Sequence, residues 1–297
     1  MSRRLVAVVA PFALLLASPA AALALTINEE YKPQNEFKLD PWFSIGPIEF
    51  NKGVLYLFIA TALTCGTMIY VARRMHQRPN RLQTLVEFAY TGMRDNITRG
   101  NMDDRMAVKW FPFIATIFLF IWFSNVIGYL PLPTNTEHKV DIFGLQVPSL
   151  ALYAATANLS VPLVLTLMVW LSYHVEGIRA KGFIPYLKGW IPAGVEGPAR
   201  IPIFFIEVIS QFVRLVSLSV RLFANILAGH LLILFMGGGL VVLLNLAVVG
   251  SVILGLVTGV MAVAFFLFEV GLVATLQAFI FATLTAIYLG GAVSEEH

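Results

Sequence analysis

Long apolar runs separated by short polar segments dominate the sequence. Three runs, at residues 54–72, 108–130 and 150–173, have the length of about 20 residues that a helix needs to cross a bilayer. Two further runs, at 201–236 and 240–292, are too long for one perpendicular crossing, and Gly237-Gly238-Gly239 separates them. They either contain extra crossings or form strongly tilted helices. The pattern predicts an all-α membrane protein.

Residues 1–24 have the pattern of a signal peptide. Arg3 and Arg4 provide a basic start, residues 5–16 are apolar, and residues 18–24 are mostly small, as at a cleavage site. An uncleaved first membrane helix is the alternative, although the apolar stretch is short for a span. We therefore predict a signal peptide at 1–24 and a single membrane domain at 25–297.

Basic residues in the polar segments predict the orientation of the first three spans. One basic cluster directly follows the first span, and a second basic segment, at 176–200, follows the third. Cytoplasmic flanks carry an excess of Lys and Arg, so both segments are predicted to be cytoplasmic and the N-terminal segment external. Residues 81–99, between the first two spans, carry apolar residues at helical spacing. This spacing predicts an amphipathic helix on the membrane surface.

The composition argues against several functions. The chain is 58% hydrophobic with a formal net charge of +3, and its basic residues are spread over the loops, which argues against nucleic-acid binding. The single Cys65 cannot form an internal disulfide. No G-x-x-x-x-G-K-[ST] loop occurs, so the chain is not itself a nucleotide hydrolase. We predict no cofactor and no metal site.

An arginine lies inside the fourth apolar run. Arg221 is followed by 76 residues without a Lys or Arg. A guanidinium is effectively always charged and costs roughly 2.5–3.5 kcal/mol at the centre of a membrane helix, so we expect this chain to use the charge. Glu207, Arg214 and Arg221 are spaced by seven and fall on nearly one stripe. Small and polar residues near this stripe would let another helix approach: Ser217, Ala224, Asn225 and Ala228.

Two titratable residues are predicted to lie away from the helix face that carries Arg221. His230 follows Arg221 by nine residues, about 900° of rotation, and so lies on the opposite side of the helix. Imidazole titrates near physiological pH and can pass protons. Glu269 in the next helix is its expected partner. Gln277, about 80° further round that helix, could hydrogen-bond across to the first.

Each of these residues also has a simpler interpretation. Arg221 could pair with a fixed carboxylate, His230 could be a packing residue, and Gln277 could merely join two helices. Asn125 lies where prolines end the second span, and it could cap that helix. The combination favours an ion path, because ionisable residues inside a membrane mark such paths by default. The residues alone leave both interpretations open.

Two segments of the C-terminal part resemble a known family signature. Residues 217–230, SLSVRLFANILAGH, and residues 276–281, LQAFIF, resemble subunit a of the rotary F-type ATP synthase. The resemblance covers roughly residues 30–293 and includes the helix end at 125–133. The combination of His230 with Glu269 is similar to mitochondrial and many bacterial members. Arg214 occupies a position where the family varies, and the resemblance gives it no function.

The resemblance implies an architecture that hydropathy does not determine. It implies about five membrane helices, with the last two as a long, strongly tilted C-terminal hairpin against the ring of c subunits. The expected location is the bacterial plasma (inner) membrane, with the N-terminus outside and the C-terminus cytoplasmic. The other expected partners are b-type peripheral stalk subunits, the rest of the synthase and the lipid bilayer.

The implied role is that of a non-catalytic stator with two proton half-channels, through which proton flow drives ring rotation and ATP synthesis. Arg221 would stabilise the c-subunit carboxylate as it passes and would separate the two half-channels. The outer half-channel would be lined by His230, Glu269 and Gln277. The inner one would contain Glu207 and Ser217. Asn225 is a further residue with an implied role in proton translocation. Asn125 is a candidate residue of the channel lining.

Two other classes of protein fit less well. A stand-alone ion-coupled secondary transporter is the alternative function, but such transporters often show two related halves, and none are evident in the sequence. A haem-binding subunit would need paired histidines in facing spans. Besides His230, only His174 lies near a span.

Overall fold

The computed structural model describes residues 37–46, 48–74, 81–134, 139–142, 145–148, 151–191, 197–244 and 248–294. Within these ranges, five helical stretches are long and apolar enough to cross a membrane. The all-α membrane class is therefore confirmed. The predicted signal peptide at 1–24 lies outside the described residues.

The first three spans are single α-helices. Helix α1 covers Lys52–Arg74, α3 covers Asp104–Gly128 and α4 covers Ser160–Lys181. Between α1 and α3, helix α2 (Arg81–Thr91) continues into a π-helical segment at Gly92–Thr98, so the predicted surface segment is helical throughout. Gly182, with a φ of 85°, ends α4 by adopting a left-handed conformation that favours glycine.

The C-terminal part forms the two longest helical stretches, Gly197–Val242 and Gly250–Val293. Their elements are helix α6 (Arg200–Leu234), a π-helical turn at Phe235–Gly239, α7 (Leu240–Leu244), α8 (Val248–Phe268), a second π-helical segment at Glu269–Val273, and α9 (Ala274–Val293). Gly238 has a non-helical backbone at the predicted triple-glycine break. A short helix α5, Phe183–Lys188, lies between α4 and α6.

The third span begins later than the apolar run predicts. Ala151 forms backbone hydrogen bonds in both directions with Leu132, which holds the start of the run in an extended conformation. A 3₁₀ turn follows at Ala155–Ala157. The Ser160 N–H then donates to Asn158 Oδ1 at 3.0 Å, and α4 starts there. The third span therefore lies at Ser160–Lys181 and not at about 150–173, because the buried apolar segment before Ser160 packs without being helical.

Two short antiparallel ribbons were not predicted. Strands β1 (Phe43–Ile45) and β2 (Ile48–Phe50) form the first, and β3 (Lys139–Ile142) and β4 (Leu145–Pro148) form the second. Both lie in the polar segments between or before spans. Each contains only two strands, so neither changes the helical class of the protein.

Contacts divide the chain into two units. The larger unit comprises Leu39–Ala228 and Val270–His297, and within it α3 packs against both α1 and α9, while α9 also packs against α4. The buried face of α9 is rich in small residues, which allows close helix packing: Ala274, Ala278, Ala282, Thr285 and Ala286. The smaller unit comprises Met1–Lys38 and Gly229–Glu269. In its described part, α8 packs against the turn at Phe235–Gly239.

Candidate functional site

Arg221 lies on an exposed apolar face of α6. A shallow groove on this face is lined by Arg221, Ser217 and five apolar side chains that are 43–61% exposed: Ile209, Phe212, Val213, Val216 and Val220. Among the described residues of its own unit, no carboxylate lies within 4.0 Å of the Arg221 guanidinium. The cation is therefore presented outward on a surface suited to lipid or to another helix.

The residues around Arg221 have the small, polar character that the spacing predicts. Ser217, Ala224 and Ala228 are exposed on α6, and Asn225 is half-buried. Because none of these side chains is bulky, a helix of another chain could approach the backbone closely here.

His230 and Glu269 belong to the smaller unit and are both buried. His230 is 0% exposed and Glu269 is 7% exposed. A Cβ at Gly229 would overlap the Glu269 carboxylate, with Oε1 only 2.7 Å away. The carboxylate is therefore packed against the α6 backbone at the residue that precedes His230. This close approach requires glycine at position 229.

Glu269 begins a π-helical segment that hydropathy could not reveal. The predicted angle of about 80° between Glu269 and Gln277 assumes an unbroken α-helix, and π-helical turns replace it here. Gln277 itself lies on α9 and is 6% exposed. Single π-helical turns are frequent at functional sites.

Asn125 is a buried hydrogen-bonding residue inside α3. Its Oδ1 accepts from the Thr156 hydroxyl at 2.6 Å, and its Nδ2 donates to the Ala274 carbonyl at 3.5 Å. Asn125 is 0% exposed, and α3 continues beyond it to Gly128. It therefore links α3 to the 3₁₀ turn and to the start of α9.

Glu207 lines a cavity whose lining residues differ from those of the Arg221 groove. We name it the Glu207 cavity. This cavity has a volume of about 520 Å³, and its polar lining comprises Tyr173, Lys181, Tyr186, Trp190, Glu207, Gln211, Arg214 and Tyr288. Glu207 Oε1 accepts from Gln211 Nε2 at 3.2 Å and from Arg214 Nη2 at 3.5 Å. The Arg214 guanidinium also lies 5.6 Å from the centre of the Tyr288 ring. Arg214 thus forms an ion pair with Glu207 inside the cavity.

His174 is buried beside the Glu207 cavity. Its Nδ1 lies 2.7 Å from the Tyr186 hydroxyl, and the rings of Trp170, Tyr173 and Trp190 surround its imidazole. Burial raises the pKa of the Tyr186 phenol, and this effect exceeds the opposing effects of a hydrogen bond with Trp190 and of the Arg214 charge. The phenol is therefore neutral near pH 7.

Several cavity residues have no functional assignment from the sequence. Gln211 lies four residues after Glu207, a spacing that places the two side chains together on a helix. This spacing could have indicated that Gln211 contacts Glu207. Tyr173 and Tyr186 reach the cavity from α4 and α5, and no local pattern predicts such a tertiary contact.

Lys109 of α3 forms an ion pair with the buried Glu176 of α4, which joins these two helices.

In the part of the chain that the structure describes, five apolar helical stretches define a polytopic membrane protein, and the ionisable residues inside such stretches are typical of proteins that move ions. Residues 54–290 match the model of the family described as ATP synthase A chain. The chain therefore belongs to the ATP synthase subunit a family and is a multi-pass component of the membrane sector of an ATP synthase. The family resemblance seen in the sequence is confirmed.

Individual relatives support the same assignment over most of the chain. The chain is similar to ATP synthase subunit a of Rubrobacter xylanophilus, with 34% identity over 244 residues that cover 82% of this chain and 83% of that one. It is also similar to ATP synthase subunit a of Bradyrhizobium diazoefficiens, with 33% identity over 271 residues, or 89% and 98% of the two chains. The corresponding subunit of Rhodopseudomonas palustris is 32% identical over 270 residues, or 89% and 98%.

Proposed function

We propose that this chain is the non-catalytic stator that gives protons access to the ring of c subunits through two half-channels. The observation that carries the proposal is the exposed Arg221, which has no carboxylate partner among the described residues of its unit. A charge at this depth is costly without a counter-ion. A carboxylate on a neighbouring, moving subunit supplies one.

Arg221 acts as a fixed cation between the two half-channels. A ring carboxylate that faces lipid must be neutral, since an isolated anion is costly in hydrocarbon. Beside Arg221 the carboxylate can release its proton, because the guanidinium stabilises the anion. The guanidinium does not give up its own proton, so it does not relay protons directly between the half-channels. A potential of 100 mV supplies about 2.3 kcal/mol per proton, and this drives rotation.

The outer half-channel contains His230 and Glu269. Both are buried in the smaller unit, and Glu269 packs against the backbone at Gly229. Imidazole titrates near neutral pH, and His and Glu are the usual side chains for proton transfer, which suits a relay from the external side. Gln277 and Asn125 are buried polar residues that we assign to the wall of this path.

The inner half-channel contains Glu207 and the cavity around it. The cavity is large enough for several water molecules, and Glu207, Gln211 and Arg214 supply polar groups in its lining, so it can hydrate a proton leaving the ring. Ser217 lies between Glu207 and Arg221 along α6 and is exposed in the Arg221 groove, with Asn225 one turn beyond Arg221. These residues complete the proposed route.

The proposed topology follows the basic flanks of the spans. The N-terminus is external, the C-terminus is cytoplasmic, and the chain lies in the bacterial plasma membrane. The partners are the c-subunit ring, b-type stalk subunits and the rest of the synthase.

The outer half-channel is tested with His230→Ala and Glu269→Gln in the complete synthase. Each change removes a proton-exchanging group, so we expect ATP synthesis to slow by about 10- to 100-fold, most visibly at low proton-motive force. Synthesis rates in energised vesicles are measured as a function of external pH. Glu87→Gln on α2, outside the long spans, is the matched carboxylate control and should leave the profile unchanged. Unchanged profiles in both test variants would remove these residues from the path.

A further inference from the structure

A chain of hydrogen bonds from α4 ends on the Glu207 carboxylate. The Tyr173 hydroxyl donates to Gln211 Oε1 at 2.9 Å, and Gln211 Nε2 donates to Glu207 Oε1 at 3.2 Å. Tyr173 is 3% exposed and Gln211 is 5% exposed, so water does not compete strongly for these bonds. The Trp170 indole N–H also donates to the main-chain carbonyl of Gln211 at 3.3 Å, which anchors α4 to α6 at the same residue.

The chemistry of the donors fixes the direction of this chain. A carboxylate only accepts, so the Gln211 amide must turn its N–H group toward Glu207. The side-chain oxygen Oε1 of Gln211 is then left to accept from the Tyr173 hydroxyl. The reverse amide orientation would place two acceptors against each other. Tyr173 therefore holds the amide in the only orientation that suits Glu207.

Arg214 contacts the same oxygen of Glu207 as Gln211 does. Its Nη2 lies 3.5 Å from Oε1, which already accepts from Gln211. A carboxylate oxygen has two lone pairs, and both donors contact Oε1, whereas none of the described residues of this cavity forms a hydrogen bond with Oε2. Protonation at Oε2 leaves both contacts intact, so Oε2 is the favoured oxygen for proton binding. One oxygen holds the side chain in place, and the other is left for proton exchange.

We propose that Tyr173 and Gln211 are positioning residues of the inner half-channel, which together with Arg214 reserve Glu207 Oε2 for proton exchange with the cavity. The inference rests on the proposed function, because it assumes that protons leave past Glu207. The other charged or titratable groups that line the same cavity belong to four helices: Lys181 of α4, Tyr186 of α5, Arg214 of α6 and Tyr288 of α9.

The test uses Tyr173→Phe and Gln211→Leu in the complete synthase, in inverted vesicles whose outer face is the cytoplasmic one. We expect the initial rate of ATP-driven proton pumping, per assembled complex, to fall about three- to tenfold, which corresponds to the loss of one hydrogen bond. We also expect an altered dependence of that rate on the pH of the medium. Tyr173→Phe removes a single oxygen atom, so it keeps the packing even if Gln211→Leu does not assemble. Each change is repeated in a Glu207→Ala background.

In the Glu207→Ala background, Tyr173→Phe should have no further effect, because no carboxylate is left to position. The control is Tyr90→Phe on α2, the same substitution outside the Glu207 cavity, where the ring packs against Phe111 instead. It should keep the wild-type pH profile. A wild-type profile for Tyr173→Phe, or the same loss with and without Glu207, would overturn the positioning role alone. Unchanged pumping in Glu207→Ala itself would overturn the inner half-channel as well.

Discussion

Replacing Arg221 by alanine is expected to abolish ATP-driven proton pumping while the synthase still assembles. Without the guanidinium, a ring carboxylate that reaches α6 has no cation to stabilise its anion, so it stays protonated and carries no net charge. Removing one such electrostatic contact in a water-poor site lowers rates by about 10²- to 10³-fold, which brings pumping to background. The measurement is acidification of inverted vesicles on addition of ATP, per assembled complex.

Two further variants make the Arg221 result specific. Arg221→Lys keeps a positive charge, but the amine can release its proton and lacks the planar fork, so we expect it to restore little pumping. Arg105→Ala removes an exposed arginine at the start of α3 and should leave pumping normal. Normal coupled pumping by Arg221→Ala would refute the proposed role of this residue as the stator charge.

Replacing Gly229 by alanine is expected to have the second-largest effect. The added methyl group would overlap the Glu269 carboxylate, which must then move away from the α6 backbone. Overpacking of this kind costs about 1–3 kcal/mol, which corresponds to about a 5- to 150-fold loss when the displaced group lies on the proton path. The measurement is ATP synthesis by energised vesicles, per assembled complex.

A compensating change distinguishes a displaced carboxylate from general damage. Glu269→Asp shortens the side chain by one methylene, so in the Gly229→Ala background it should recover part of the lost rate. Gly66→Ala is the control, because the same substitution on the exposed side of α1 meets open space. Full activity of Gly229→Ala, or no recovery in the double variant, would contradict the close approach as the cause.

The sequence predicts the membrane helices well because their signal is local. Apolar length suffices to locate the spans approximately, and the triple glycine predicts the break after α6. The helical period also predicts that Arg221 and His230 lie on opposite faces, and their exposed and buried positions agree. These predictions need only the geometry of a single helix.

Other features depend on contacts between distant segments, so sequence patterns miss them. The apolar start of the third run pairs with Leu132 instead of forming a helix, and apolarity alone does not distinguish the two. The bond between Tyr173 and Gln211 joins residues 38 positions apart. The π-helical segment at Glu269 has no apolar signature either. The signal peptide at 1–24 stays a prediction.

The outward-facing Arg221 also has a consequence for biogenesis. If the ring docks at this groove as proposed, then before docking the groove would face lipid, where an unpaired cation costs roughly 2.5–3.5 kcal/mol. In the proposed function, docking of the ring would remove that penalty and would also cover the exposed apolar side chains of α6. We therefore expect a chain without a ring to be degraded faster than an assembled one, because the unpaired charge of Arg221 destabilises it in the membrane.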